Sequence, residues 1–177
     1  MNDMEAHAFL AHAVLSSLSE HPGMFAQFFL GIVPLPGCPG RMAVSNTQAV
    51  PILHALFRRY ACDFELVAGA PGLNMDVAQA ARMYANVYAG GLWWYNFRSS
   101  TYREAMQTRI EAVPARKCAL LVSDGRCIEW CFAKTMLVKK LLADFLCDQV
   151  RGGWINEEDA LWVAQEWLHD APARRYV

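Results

Sequence analysis

Phe64-Glu65-Leu66-Val67-Ala68, closed by Gly69-Ala70-Pro71-Gly72 and followed by helical periodicity from about Met75 to Tyr84, decides the fold of this chain. A short run of near-continuous apolar residues, ended by Gly and Pro, reads as a strand covered on both faces; the periodic run after it reads as a crossover helix. The same order recurs on either side. Upstream, Met24 to Gly31 is short and bulky enough for a central strand, and a Pro/Gly-rich loop from Pro34 to Gly40 follows it. Ser45 with Gln48 three residues on forms a capping box, and Ile52, Leu53, Leu56, Phe57 and Tyr60 make one face of the next helix. Downstream, Asn86 to Tyr95 is a third strand, and Ser99-Ser100-Thr101 starts a helix carrying Tyr102 to Val113. Lys117 to Val122 is a fourth strand. The long helix after it bears Val138, Leu141, Leu142, Phe145, Leu146 and Val150 on one stripe and stops at Gly152-Gly153.

Four consecutive β-then-α units define an α/β protein: a parallel sheet with helices on its faces. Two architectures are compatible with this order, a small doubly wound sheet or half of a (β/α)8 barrel, since a complete barrel takes about 250 residues and eight strands. The units over 24–150 are flanked by a helix over residues 5–20 and by a final helix over 156–169. Asn156 caps that final helix, Glu157-Glu158-Asp159 suit its positive end, and Leu161, Ala164 and Leu168 form its expected buried side. The whole of 1–177 reads as one domain.

Composition narrows the function. The chain has 177 residues, of which 55% are hydrophobic and 19% charged, with a net charge of -1. Nucleic-acid binding needs a basic face that this balance does not supply, and the apolar content is far too high for disorder. The most apolar stretch, Met24 to Val33, is half the length of the roughly twenty residues that a membrane-spanning helix needs. The first residues are acidic before they are apolar, unlike a secretory signal. Cys38, Cys62, Cys118, Cys127, Cys131 and Cys147 are scattered, so reduced thiols of a cytoplasmic protein are expected rather than a disulfide framework.

In either architecture a site lies at the carboxyl ends of the strands. The third strand ends in Gly90-Gly91-Leu92-Trp93-Trp94-Tyr95-Asn96 and the fourth in Ser123-Asp124-Gly125-Arg126. Asp124 can carry protons or ligate a metal, and Arg126 can grip a carboxylate with two parallel hydrogen bonds. Equally, the two can pair with each other or cap the helix that starts near Cys127. Of the adjacent indoles Trp93 and Trp94, one faces the core and the other can wall a sugar-sized pocket, or both are core. Cys127 and Cys131 have no further Cys/His pair at zinc spacing, no histidine follows a strand, and no G-x-S-x-G elbow is present. Trp130, Trp154, Trp162 and Trp167 read as core or interface.

The run Asn86 to Asn96 with its Trp93-Trp94 pair, the strand Leu120 to Arg126 with Asp124 and Arg126, and the long helix behind them resemble the C-terminal half of uronate (glucuronate) isomerases. These are outlying members of the amidohydrolase group of (β/α)8 barrels. The resemblance is clearest from Asn86 to Arg151, and by element order it extends over the chain as units five to eight. It implies interconversion of an aldose uronate such as D-glucuronate with its ketose, D-fructuronate, through an enediol beside one divalent metal of the zinc or manganese type. By the same resemblance Asp124 is the catalytic, metal-adjacent proton carrier, Arg126 contacts the uronate carboxylate, and Trp93 or Trp94 lines the sugar pocket.

The family's His-x-His metal pair has no counterpart in this sequence, so most metal ligands are absent from the chain. Two expectations follow. In one, the chain is the C-terminal half of a uronate isomerase, inactive alone, whose N-terminal half supplies the histidines. In the other it is a non-catalytic half-barrel that self-associates across an open sheet edge and keeps a carboxylate-binding pocket. A sugar-acid substrate, no nucleic acid, no membrane, and a homo-oligomer or a missing half are the expected partners.

Overall fold

The computed structural model describes residues 3–35, 37–39, 41–44, 49–93 and 96–176. The expected Ser45/Gln48 capping box and Trp94 lie outside them. Helix α1 (Asp3–Glu20) leads into strand β1 (Phe25–Leu30), then a small antiparallel ribbon of β2 (Ile32–Pro34) and β3 (Met42–Val44), and helix α2 (Ala49–Arg59). Two further units follow: β4 (Asp63–Ala68) with α3 (Asn74–Met83), and β5 (Val87–Leu92) with α4 (Ser99–Ala112). The long α5 (Ile128–Arg151), α6 (Glu157–Gln165), a π-turn (Glu166–Asp170) and the short α7 (Ala171–Tyr176) complete the chain.

Strands β1, β4 and β5 lie parallel in that order, with Phe25 opposite Asp63 and Phe64 opposite Val87. The expected fourth strand joins β5 at only two parallel bridges, Ala89 to Cys118 and Leu92 to Leu121. Its register is held instead by Arg109. This fully buried α4 side chain donates to Ala119 O at 2.5 Å and to Gly90 O at 2.7 Å, tying the two backbones together. The far side of the segment is also occupied, because the Leu120 amide donates to Trp167 O of the π-turn at 3.2 Å. A π-turn breaks the i→i−4 ladder, which frees a carbonyl for such a contact.

Alternation along β4 explains the two-sided burial. Phe64, Leu66 and Ala68 join the core beneath the helices, with Phe57, Val77, Ala81, Tyr102, Met106, Leu142 and Phe145. Glu65 and Val67 point to the opposite, concave face, which is the interior face of a barrel sheet. A carboxylate buried there needs partners, and α7 brings them: Arg175 Nη2 lies 3.3 Å from Glu65 Oε1, the Tyr176 hydroxyl donates to Glu65, and Gln27 of β1 donates to it at 2.9 Å. Burial and the Glu65 contact push the Tyr176 hydroxyl pKa up.

Several expectations are corrected. Among the described residues the first strand lies at the edge of the sheet rather than at its centre, and it half-exposes Phe25, Ala26 and Phe28. Part of the Pro/Gly segment forms the β2–β3 ribbon rather than plain loop. The final helix is broken into α6, the π-turn and α7; its buried side is Ala160, Val163 and Trp167, while Leu161 is exposed. Trp130, Trp154 and Trp162 are exposed, and only Trp167 is core. In α1 the sole buried side chain is Leu15. The Asn156 cap is as expected, accepting from the Asp159 amide at 2.8 Å. No cysteine among the described residues is paired, and no described helix is long and apolar enough to cross a membrane.

Candidate functional site

At the carboxyl ends of β5 and the 118–122 segment, Trp93, Phe97, Asp124, Arg126, Trp130 and Lys134 line a pocket of about 360 Å3. Three of the four side chains expected at the site from the sequence meet here, and the fourth, Trp94, is outside the described residues.

The loop after β5 is fastened down before it reaches the pocket. Buried Asn96 donates to Ala68 O at 2.8 Å, and the Trp93 amide donates to the same carbonyl at 3.1 Å. The Trp93 ring then lies over the end of β4, where Gly69 makes room: a Cβ there would sit 2.8 Å from Trp93 Cε3 and 2.7 Å from Ile32 Cγ1. Phe29 of β1 packs edge-on against the indole, with ring centroids 5.0 Å apart. Sequence spacing leaves the side of Trp93 open; the packing of Gly69 and Phe29 settles it.

Asp124 does not cap α5, whose N-cap residue Cys127 has no side-chain cap. Its Oδ2 accepts from Trp93 Nε1 at 2.8 Å. Its backbone is in the left-handed region (φ 42°), the only non-glycine residue among those described with positive φ. That conformation costs about 1 kcal/mol or more for a residue with a Cβ, and residues held in it cluster at functional sites. Asp tolerates it better than most residues, since its short polar side chain bonds locally. The exposed Arg126 guanidinium follows two residues later, at the rim.

Lys134 is the residue that sequence reasoning misses. It projects from the second turn of α5, donates to Ser123 O, and stands 4.8 Å from the Phe97 ring centroid and 5.6 Å from that of Trp130. The available signal was helical: Trp130 and Lys134 are four apart on the helix that begins just after Arg126. The pocket thus joins one carboxylate, two cations and three aromatic rings, a set suited to a polar ring compound bearing an acid group. The histidines take no part: His12 bonds Tyr60 at 2.8 Å and His54 bonds Tyr84 at 3.0 Å. Among the described residues no three His, Cys, Asp or Glu side chains come together to hold a metal ion.

The parallel sheet, its helices on the convex side and the pocket at the strands' carboxyl ends define part of a (β/α)8 barrel. Solved structures are similar along the whole chain. The uronate isomerase of Thermotoga maritima superimposes with a TM-score of 0.82 at 16% identity, over 100% of this chain and 42% of that one. The uronate isomerase of Bacillus halodurans superimposes with a TM-score of 0.69 at 19% identity, over 92% of this chain and 40% of that one. The fold is therefore that of a stretch of the uronate isomerase barrel, and the chain spans less than half the length of these enzymes. No protein family matches the sequence, and no curated protein does.

Proposed function

We propose that this chain supplies the sugar-acid-binding part of a cytoplasmic uronate isomerase, acting in the interconversion of D-glucuronate and D-fructuronate. Arg126 pairs with the uronate carboxylate, with Lys134 adding a second positive charge. Trp93 packs on the sugar, and Asp124 moves the proton between C1 and C2 through the enediol. One observation carries the reading: Trp93, Asp124 and Arg126, from two different strand ends, line a single pocket with Trp93 Nε1 on the Asp124 carboxylate. The roles fit the chemistry, since a carboxylate on the pocket wall can take and return a proton, and an exposed guanidinium can dock the acid end.

The divalent metal that the resemblance implies does not fit the described residues taken alone. Asp124 belongs to no group of three His, Cys, Asp or Glu side chains among the described residues, and its Oδ2 already accepts from Trp93. The steps assigned here are limited to binding and proton transfer by this chain's own side chains; further ligands belong to the remainder of a barrel.

Titration of the chain with D-glucuronate, followed by calorimetry, tests the assignment. Arg126→Ala should weaken binding about tenfold or more, as expected for loss of a charged hydrogen-bonded pair. D-Glucose, which lacks the carboxylate, should bind no better to wild type than glucuronate does to the variant. Equal affinity for glucuronate and glucose would refute the role of Arg126. In a barrel completed with a uronate isomerase N-terminal half, Asp124→Asn should abolish turnover while Arg126→Lys chiefly raises KM.

A second reading, a self-associating half-barrel that binds sugar acids without turning them over, is favoured by the lack of a three-ligand group around Asp124 among the described residues. It predicts glucuronate binding, a dimer mass by light scattering, and no turnover even in the completed barrel.

A further inference from the structure

A second pocket lies at the opposite, amino ends of the same strands. Asp63 opens β4, Tyr88 is the second residue of β5, Arg116 and Lys117 lead into the 118–122 segment, and α7 brings in Arg174 and Arg175. These six side chains line a cavity of about 370 Å3. Four are cationic and one is a carboxylate. Burial pushes the Asp63 carboxyl above its ordinary pKa, while a hydrogen bond from Tyr88 and the charges of Arg175 and Lys117 oppose the shift.

The cations are only partly satisfied from behind. Buried Glu166 takes Arg174, and stands 3.7 Å from Arg116 Nε, beyond hydrogen-bond length. The Arg116 side chain is otherwise 72% exposed. Arg175 bonds Glu65 through Nη2 and lies over the Tyr88 ring at 4.7 Å, yet its Nε is buried and has no partner among the described residues. That side chain is only 5% exposed. Lys117 donates to Ala81 O at 2.7 Å and also to Tyr84 O, and burial draws its ammonium pKa below the usual value. Four cations thus share one cavity with Asp63, while Glu65 and Glu166 partner Arg175 and Arg174 from behind, which leaves the wall net positive and suited to negative charge.

We infer that this amino-end pocket binds a small multivalent oxyanion, a phosphate ester or a polycarboxylate. The exposed Arg116 guanidinium has N–H groups to spare, and Lys117, Arg174 and Arg175 add positive charge around the same cavity. In a barrel this end lies away from the reacting carboxyl ends, so the ligand acts as a stabiliser or effector rather than a substrate. The inference is independent of the isomerase reading.

Calorimetric titration of the full chain with inorganic pyrophosphate and, separately, with citrate tests it. Saturable one-site binding at or below about 1 mM is expected for at least one probe. The tighter of the two names the source of the charge, phosphoryl or carboxyl. Arg116→Glu should weaken that binding at least tenfold, whereas Arg151→Glu, an exposed cation on α5, should leave it unchanged. If the Glu variant does not fold, Arg116→Ala serves instead, because Glu166 keeps its Arg174 partner. Saturating D-glucuronate should not compete, which separates this pocket from the one at Asp124. No saturation of either probe below about 10 mM would overturn the inference, as would equal weakening by the Arg116 and Arg151 variants or competition by glucuronate.

Discussion

Replacing Arg109 with Met should unfasten the last strand segment while keeping the side-chain length. In the native chain this guanidinium makes two hydrogen bonds, at 2.5 Å to Ala119 O and 2.7 Å to Gly90 O, in a fully buried setting. Hydrogen bonds to charged groups contribute about 1.5–3 kcal/mol each, so the gross loss is roughly 3–6 kcal/mol. Against this stands the desolvation of a buried cation, which also draws the Arg109 pKa down and is removed by the substitution. A net destabilisation of about 2–4 kcal/mol remains, because Met leaves both buried carbonyls without a donor. For a chain of this size that is a fall in Tm of roughly 5–15 °C. Thermal unfolding by circular dichroism gives the total, and hydrogen exchange by mass spectrometry gives its location. Faster exchange should centre on the Ala119 and Leu92 amides, which cross the join between β5 and the segment. A change below about 0.5 kcal/mol, or exchange accelerated evenly over the sheet, would refute the role given to Arg109.

Two further outcomes are expected. Burial lifts the Cys118 thiol from 9.0 to about 11, against the opposing influence of Arg109, Arg175 and Lys117. Unfolded chains lose that proton near pH 9 while folded ones keep it, so the folded state holds the extra proton and stability falls between pH 9 and 11; urea titrations near pH 8.5 and 10.5 should show a drop roughly 2 kcal/mol larger in wild type than in Cys118→Ala, and equal drops would contradict the burial. At Gly91 a Cβ would sit 2.4 Å from both Leu121 C and Val122 N, backbone that cannot step aside. Gly91→Ala should therefore cost about 3 kcal/mol or more, read as a Tm loss or insoluble expression, and a Tm within about 2 °C of wild type would show that the two backbones are not so close.

What was legible in the sequence follows from which interactions are local. The β/α alternation, the helix stop at Gly152-Gly153 and the Asn156 cap depend on neighbours in sequence, and were readable. That Asp124 and Arg126 leave the end of the 118–122 segment was readable too, because turn chemistry marks strand ends. Strand order was not: Met24 to Gly31 is as apolar as a central strand, yet β1 is at the edge because no described strand lies beyond it. Leu161 sits at a plausible helical position but is exposed, since α6 turns Ala160 and Val163 inward instead, and past Gln165 the buried place falls to Trp167 in the π-turn. The strongest unread signal was Glu65, a lone carboxylate inside an apolar strand. It demanded a distant cation, which came from Arg175 at the other end of the chain.

The contact between the Trp167 carbonyl and the Leu120 amide gives the sheet a polarity of growth. Among the described residues no strand pairs with the outer flank of β1, whereas on the opposite flank a newcomer strand must first evict the π-turn from Leu120. Two identical copies brought together can zip along their β1 flanks, but a rotational pair of that kind aligns those strands antiparallel and leaves the ring unclosed. Closure into a barrel with all strands parallel needs a partner, a second copy rotated about the barrel axis or a different chain, that meets β1 on one side and takes over the latch at Leu120 on the other.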